Sequence, residues 1–181
     1  FKEIGQLEEA MASYQKALAI KPDFSEVYSN LGSVLKDHGR LDEAITHYHK
    51  ALDIKPNFAE AHGNLASALH ELGQLDEAIA HNRKAIEINP NLTVPHNNLG
   101  NALMELGQLE EAMASYQKAL AINSNFAQAH TNLGNILRQL GRLDEAFISC
   151  NRALVIKPDF AEAHNNLGTT LHDLGKLDEA V

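Results

Sequence analysis

Asparagine recurs at a fixed interval along this chain: Asn30, Asn64, Asn98, Asn132 and Asn166 stand 34 residues apart. A carboxamide carries both a donor and an acceptor, which is what a peptide bond requires of a partner. Asn97 and Asn165 precede two members of the series, and Asn101 and Asn135 follow two members three residues on. Asn is a mediocre helix former, so such a column calls for a reason. One reason is a grip on the backbone of an extended polypeptide. The other is a bridge from each copy to the next, which only spaces them. Residue chemistry alone leaves both open.

Other chemistry finds less support. The chain has ten histidines, but His62, His96, His130 and His164 share one repeat position and so lie in different copies, too far apart for a single ion. They are expected to pack. His47, His49 and His81 have no Asp, Glu or Cys set at ligand spacing. His70-Glu71 opens like a zinc-protease motif, yet Gln74 stands where the second His is required. There is no Gly-rich phosphate loop and no Gly-x-Ser-x-Gly elbow. Cys150 takes a position held elsewhere by Tyr14, Tyr48 and Tyr116, and reads as a small buried residue, not a nucleophile. The expectation is a chain with no catalytic residue, no metal ligand and no cofactor. The sequon Asn91-Leu92-Thr93 is explained by chance.

The elements that must position the asparagines follow from the period. Glycine recurs at Gly39, Gly73, Gly107, Gly141 and Gly175, each 34 residues from the last, and Gly5 extends the series backwards. With position 1 on Ser25, Ala59, Thr93, Ala127 and Ala161, the chain divides into a partial unit 1–24, full units 25–58, 59–92, 93–126 and 127–160, and a partial unit 161–181. A period of this size marks a repeat architecture of helix–turn–helix units. In "AEAHGNLASALHEL" (Ala59 to Leu72) the apolar residues form one stripe at about 100° per residue. Asp23…Glu26 and Asn57…Glu60 are spaced as capping boxes and predict helix starts there. Gly at position 15 suits a left-handed helix end. A second helix, such as "LDEAITHYHKALDI" from Leu41, carries acids in its first turn and is stopped by Pro at position 32. Val94-Pro95 predicts a late helix start or a change of pitch near residues 92–96.

Leu31, Leu65, Leu99, Leu133 and Leu167 at position 7, Gly or Ala at position 8, Ala at positions 20 and 27, and Pro at position 32 in four of five copies carry a specific resemblance. The chain resembles the tetratricopeptide repeat family over its whole length. Position 4 departs from the family's aromatic: it is Tyr28 once and His otherwise. The resemblance implies an all-α fold, an α-solenoid in which the 34-residue units coil into a right-handed superhelix whose inner groove is lined by the first helix of each unit. Units stack because one helical pair cannot bury its apolar face alone. "GQLEEAMASYQKALAI" occurs word for word at 5–20 and 107–122, which points to duplication of a three-repeat block.

With Leu at position 7 facing the core, positions 2, 5, 6, 9, 12 and 13 fall on the far side of the first helix. The resemblance therefore places Asn30, Asn64, Asn98, Asn132, Asn166, Asn97, Asn101, Asn135 and Asn165 in the groove, with Lys36 and Arg138 from position 12. Packed helices lie about 8–10 Å apart and an extended chain advances about 3.3–3.6 Å per residue, so the column would grip an extended peptide about once in every three residues. An unbroken Asn ladder is similar to that in the tetratricopeptide region of O-linked N-acetylglucosamine transferases, where it holds substrate backbones. Positions 2, 5, 6 and 9 hold no Lys or Arg, unlike the carboxylate clamp of chaperone-binding relatives.

The reading is a scaffold that binds an extended peptide or protein segment. Its alternatives are the substrate-recruiting arm of a larger glycosyltransferase whose catalytic domain lies beyond Val181, and a spacer in an assembly. The formal net charge of −9 argues against nucleic acid as partner, though the acids at positions 18 and 19 sit where helix starts want them. The mixed charge at positions 12 and 13 suits a neutral or mildly basic segment. No apolar run is long enough for a membrane span, and a single cysteine suits a reducing, cytoplasmic setting. Both ends cut through a unit. That predicts a fragment of a longer protein, with uncapped ends prone to self-association.

Overall fold

The computed structural model of the chain describes residues 2–175. Among these, every regular element is helical: α1 (Lys2–Ile20), α2 (Ser25–Asp37), α3 (Leu41–Ile54), α4 (Ala59–Glu71), α5 (Leu75–Ile88), α6 (Thr93–Glu105), α7 (Leu109–Ile122), α8 (Ala127–Gln139), α9 (Leu143–Ile156) and α10 (Ala161–Asp173). The chain divides into two compact units, Phe1–Pro90 and Asn91–Val181. The first contains α1–α5 and the second α6–α10. The LDEA phrase after Lys176 lies outside the described residues.

Within each unit the first helix of a repeat packs on its second helix, and that second helix packs on the next first helix. This is an all-α solenoid arrangement of helical repeats. The short turn between paired helices is set by glycine. Gly39, Gly73, Gly107 and Gly141 all adopt φ 74°, a left-handed conformation that costs a residue without Cβ little. After α2, Gly39 N–H donates to Lys36 O at 2.9 Å and Arg40 N–H to Leu35 O at 2.9 Å. These paired bonds satisfy carbonyls that a helix end leaves open, as in the Schellman motif. Arg40 O in turn accepts from Ala44 N–H at 3.0 Å, opening α3. One residue closes one helix and starts the next.

Helix starts correct the sequence reading in two places. The expected capping boxes do not form. Phe24, Phe58, Phe126 and Phe160 are the N-caps and none of those helices has a side-chain cap bond. Asp23 and Asn57 lie one residue too early, in the preceding turn. The Glu meant to close the first box, Glu26, instead accepts from Ser25 Oγ at 2.9 Å and Lys55 Nζ at 3.1 Å. A ring at the cap has its own use. Lys21, Lys55 and Lys157 place their ammonium groups 4.7, 4.5 and 4.9 Å from the ring centroids of Phe24, Phe58 and Phe160, a favourable cation–π geometry.

The second correction is to the late start expected at Pro95. Helix α6 begins at Thr93, the same repeat position as the other first helices, and is not late. The reason is that the first four N–H groups of a helix have no partner within it. At the equivalent position in α2, Val27 N–H makes only a short-range bond to Phe24 O at 3.1 Å, so proline forfeits little. Its ring is buried.

The core uses a fixed set of small residues. Ala44, Ala51, Ala78 and Ala85 in the first unit, and Ala112, Ala119, Ala146 and Ala153 in the second, are fully buried. They let second helices approach their neighbours. Position 8 is small because position 24 fills the space beside it. A Cβ on Gly32 would sit 2.7 Å from Tyr48 Cε1, one on Gly100 2.5 Å from Tyr116 Cε1, and one on Gly134 2.6 Å from Cys150 Sγ. In the repeat starting at Ala59 both members change, to Ala66 and Asn82. Asn82 is fully buried, and neither its Oδ1 nor its Nδ2 has a hydrogen-bond partner.

Candidate binding face of the first helices

In each unit the first helices are neighbours: α2 with α4, and α8 with both α6 and α10. Their shared face carries the asparagine column. Three of its members, Asn64, Asn132 and Asn166, bond to the repeat before them. In the first unit Asn64 Nδ2 donates to Ser33 Oγ at 3.3 Å, and that hydroxyl oxygen also accepts from Tyr48 Oη at 3.2 Å. In the second unit Asn132 Nδ2 donates to Asn101 Oδ1 at 2.9 Å and to Asn97 Oδ1 at 3.2 Å. Asn101 Oδ1 accepts as well from Tyr116 Oη at 2.8 Å. Asn166 Nδ2 donates to the Thr131 carbonyl at 3.4 Å.

The tyrosine at position 24 therefore does two things. Its ring fills the space beside Gly32 or Gly100, and its hydroxyl reaches position 9 on the binding face. The buried Tyr116 hydroxyl is held far above the usual tyrosine range by desolvation, with the Glu105 charge adding to it. It stays a neutral donor.

The predicted site residues separate by exposure. Asn30 and Asn165 are exposed, while Asn64, Asn98, Asn101, Asn132, Asn135 and Asn166 are half-buried. Asn97 is only 4% exposed: position 5 faces the neighbouring first helix, where it accepts from Asn132. The sequence argument placed it in the open because it fixed only the angle from Leu, not the width of the next helix. The cations at position 12 are paired with the next repeat. Lys36 Nζ lies 3.2 Å from Glu71 Oε1, and Arg138 Nη1 lies 3.2 Å from Asp173 Oδ2. Arg138 Nη2 also donates to Asn135 Oδ1 at 3.5 Å, alongside Gln139 Nε2 at 3.4 Å. Such half-exposed pairs are worth little in stability, but they neutralise the face.

The histidines at position 4 have a role that the sequence reading missed. His62, His130 and His164 lie with Nε2 at 3.0, 3.0 and 2.8 Å from the carbonyls of Pro56, Ser124 and Pro158, six residues earlier in each case. An imidazole N–H thus ties the turn between repeats to the first helix. The signal was present as a constant interval between position 32 and position 4. In the first unit His62 Nδ1 also meets His81 Nδ1 at 2.9 Å. With Nε2–H donating to Pro56, His62 Nδ1 accepts from His81. Desolvation, then the neighbouring His62 and His49, lowers His81 to about 4; desolvation likewise lowers His62 and His47. Among the described residues no group of three or more His, Cys, Asp or Glu is placed to hold a metal ion. Cys150 is buried, and desolvation raises its thiol to about 11.

The sequence pattern of the TPR repeat matches residues 1–39, 32–73, 66–107, 100–137 and 134–175. The chain belongs to the tetratricopeptide repeat family. Solved TPR structures are similar to it throughout. MamA is 27% identical with a TM-score of 0.74, over 86% of this chain and 85% of that one. YrrB, described as a TPR protein with an unusual peptide-binding site, is 25% identical with a TM-score of 0.74, over 93% of this chain and 87% of that one. PilW, a type IV pilus biogenesis factor, shares the fold with a TM-score of 0.88 at 24% identity, over 97% of this chain and 82% of that one. No curated protein matches the sequence. The fold is thus that of a TPR scaffold for protein–protein interaction. No helix among the described residues is long and apolar enough to cross a membrane.

Proposed function

We propose that this chain binds an extended peptide or protein segment along the first-helix face of its repeats, and performs no catalysis itself. The observation that carries the reading is the asparagine column, in which each bond described above fixes the side chain while leaving part of its carboxamide uncommitted. Asn64 and Asn166 spend a nitrogen on the preceding repeat and keep their Oδ1, and Asn98 enters none of these bonds. A row of polar atoms held in place by neighbours loses little entropy on binding. The description of YrrB as peptide-binding supports the same class of partner.

Structural bridging and peptide binding are therefore not rivals. The same amide locks the stack and presents its other end. Lys36 and Arg138 are compensated by Glu71 and Asp173, so the partner need not be acidic, and a neutral or mildly basic segment fits. The test is a 12-residue peptide selected from a random display library and titrated into 15N-labelled protein. Shifts are expected at the first helices of a unit, α2 and α4 in the first or α6, α8 and α10 in the second. Shifts confined to the outward residues of the second helices, such as Thr46, Ile148 and Arg152, would remove the reading.

A further inference from the structure

The second unit adds carboxamides at a second repeat position. At position 9 the first unit has Ser33 and Ser67, and the second has Asn101, Asn135 and Thr169, whose hydroxyl is spent on the Asn165 carbonyl of its own helix. The hydrogen bonds around these asparagines have a direction. Asn101 Oδ1 accepts twice, from Tyr116 Oη and Asn132 Nδ2. Asn135 Oδ1 also accepts twice, from Arg138 and Gln139. A carbonyl oxygen has two lone pairs, so both oxygens are filled and only N–H remains. The Asn101 Nδ2 enters none of these bonds, and that of Asn135 meets only Met104 Sδ at 4.0 Å, a weak acceptor.

Position 6 keeps its oxygens. Asn132 spends both N–H donors on Asn97 and Asn101, and its Oδ1 accepts once, from Gln128 at 3.3 Å. One lone pair is left. Asn166 spends one N–H on Thr131 and keeps Oδ1, and Asn98, which enters none of these bonds, keeps its Oδ1 as well. Free oxygens thus stand at position 6 and free N–H groups at Asn101 and Asn135, three residues away on the same helix face.

We propose that the second unit reads both polar groups of the partner's backbone, with position-6 oxygens taking its N–H groups and position-9 nitrogens taking its carbonyls, so that it selects an extended segment without proline at the gripped residues. This rests on the proposed function above and adds which unit does the reading and what it rejects. Proline has no N–H to give, and a buried acceptor left without a partner costs free energy that a mere surface contact does not. Neighbouring first helices about 8–10 Å apart match about three residues of extended chain, so proline is excluded at every third residue and tolerated between. Val94, 55% exposed, and Met104 stand at either end of the same α6 stripe, seven and three residues from Asn101. Apolar side chains on the partner find contacts there.

The test uses two backbone probes, a decapeptide of alternating alanine and serine and decaproline, each titrated into the 15N-labelled chain with the side-chain amide signals of Asn101 and Asn135 observed. The alanine–serine probe is expected to shift both signals and decaproline to leave them unmoved. Asn101→Asp and Asn135→Asp replace each donor by an oxygen while keeping the internal acceptor. With helicity unchanged, each should weaken the alanine–serine probe by about tenfold. Decaproline binding as well as the other probe would overturn the N–H reading while leaving the first-helix face as the binding surface. If neither probe shifts any first-helix residue, the proposed function and this inference both fall. If Asn101→Asp does not fold, Asn135→Asp carries the same comparison.

Discussion

The two units share one frame and differ in what they hang on it. Both use first helices of 13 residues, both close them on glycine at φ near 74°, and both bury the same alanines. Their chemistry differs at three repeat positions. Where position 23 meets position 4, the first unit stacks rings: Tyr28 on His47 at 6.0 Å, and His62 on His81 at 5.2 Å between centroids. The second unit has Ser115 and Ser149 at position 23, both buried. At position 9 the first unit has Ser33 and Ser67, and the second has Asn101, Asn135 and Thr169. At position 24, only the first unit has a buried amide without partners, Asn82. The lesson is that the period is enforced by packing and turn geometry. Function and weakness both collect at positions those two constraints leave open.

The largest test is one in which the units should agree. Tyr48→Ala and Tyr116→Ala each empty the space beside a glycine, and each should lower stability by about 3–5 kcal/mol in urea unfolding. A large loss in one unit only would break the shared frame. Next is a difference. Asn82→Leu keeps the shape and removes an unpartnered amide, so it should raise stability by about 1–3 kcal/mol. The same type of change at Tyr116 should destabilise. A loss for Asn82→Leu would mean that the amide has a partner the structure does not show.

Smaller effects separate the two asparagine arrangements. Asn132→Ala removes bonds to Asn97, Asn101 and Gln128 and should cost about 1–2 kcal/mol, against about 0.5–1 kcal/mol for Asn64→Ala, which loses one bond to Ser33. Equal losses would say that the second network adds nothing. The response to acid separates the units by another route. His47, His62 and His81 have lowered pKa values in the first unit, and His130 has one in the second. A histidine depressed in the folded state is neutral in both states at high pH, and the unfolded chain takes up protons first as pH falls below about 6.5. Stability is therefore lost between about pH 6.5 and about 4, the value to which His81 falls, and more from the first unit. Hydrogen exchange should show α3–α5 loosening before α7–α9; the reverse order would contradict the assignment.

Much of the fold was legible because the period repeats each constraint. Gly39 or Leu31 alone would be weak evidence, but the same residue at every 34th place is not. Local reading failed where context decides. The stretch GQLEEAMASYQKALAI is identical at 5–20 and 107–122, yet α1 runs through Gly5 from Lys2 to Ile20, whereas Gly107 turns at φ 74° and α7 starts at Leu109. Glycine permits the left-handed turn without imposing it. The capping boxes failed for a related reason, since Phe24 and its counterparts, not Asp23, occupy the cap. The asparagine column was visible as spacing, but not the direction of its bonds. Those depend on Tyr116 reaching position 9 from another helix, which no local window contains.

The central claim is that the first-helix asparagines hold the backbone of an extended partner. The most direct measurement compares a display-selected 12-residue peptide on the unmodified chain and on the triple variant Asn64→Ala, Asn98→Ala and Asn132→Ala, at a temperature where circular dichroism shows both folded. The account predicts that affinity falls severalfold or more with helicity retained. Unchanged affinity on a folded variant would contradict it, and would leave the column as a spacer between repeats.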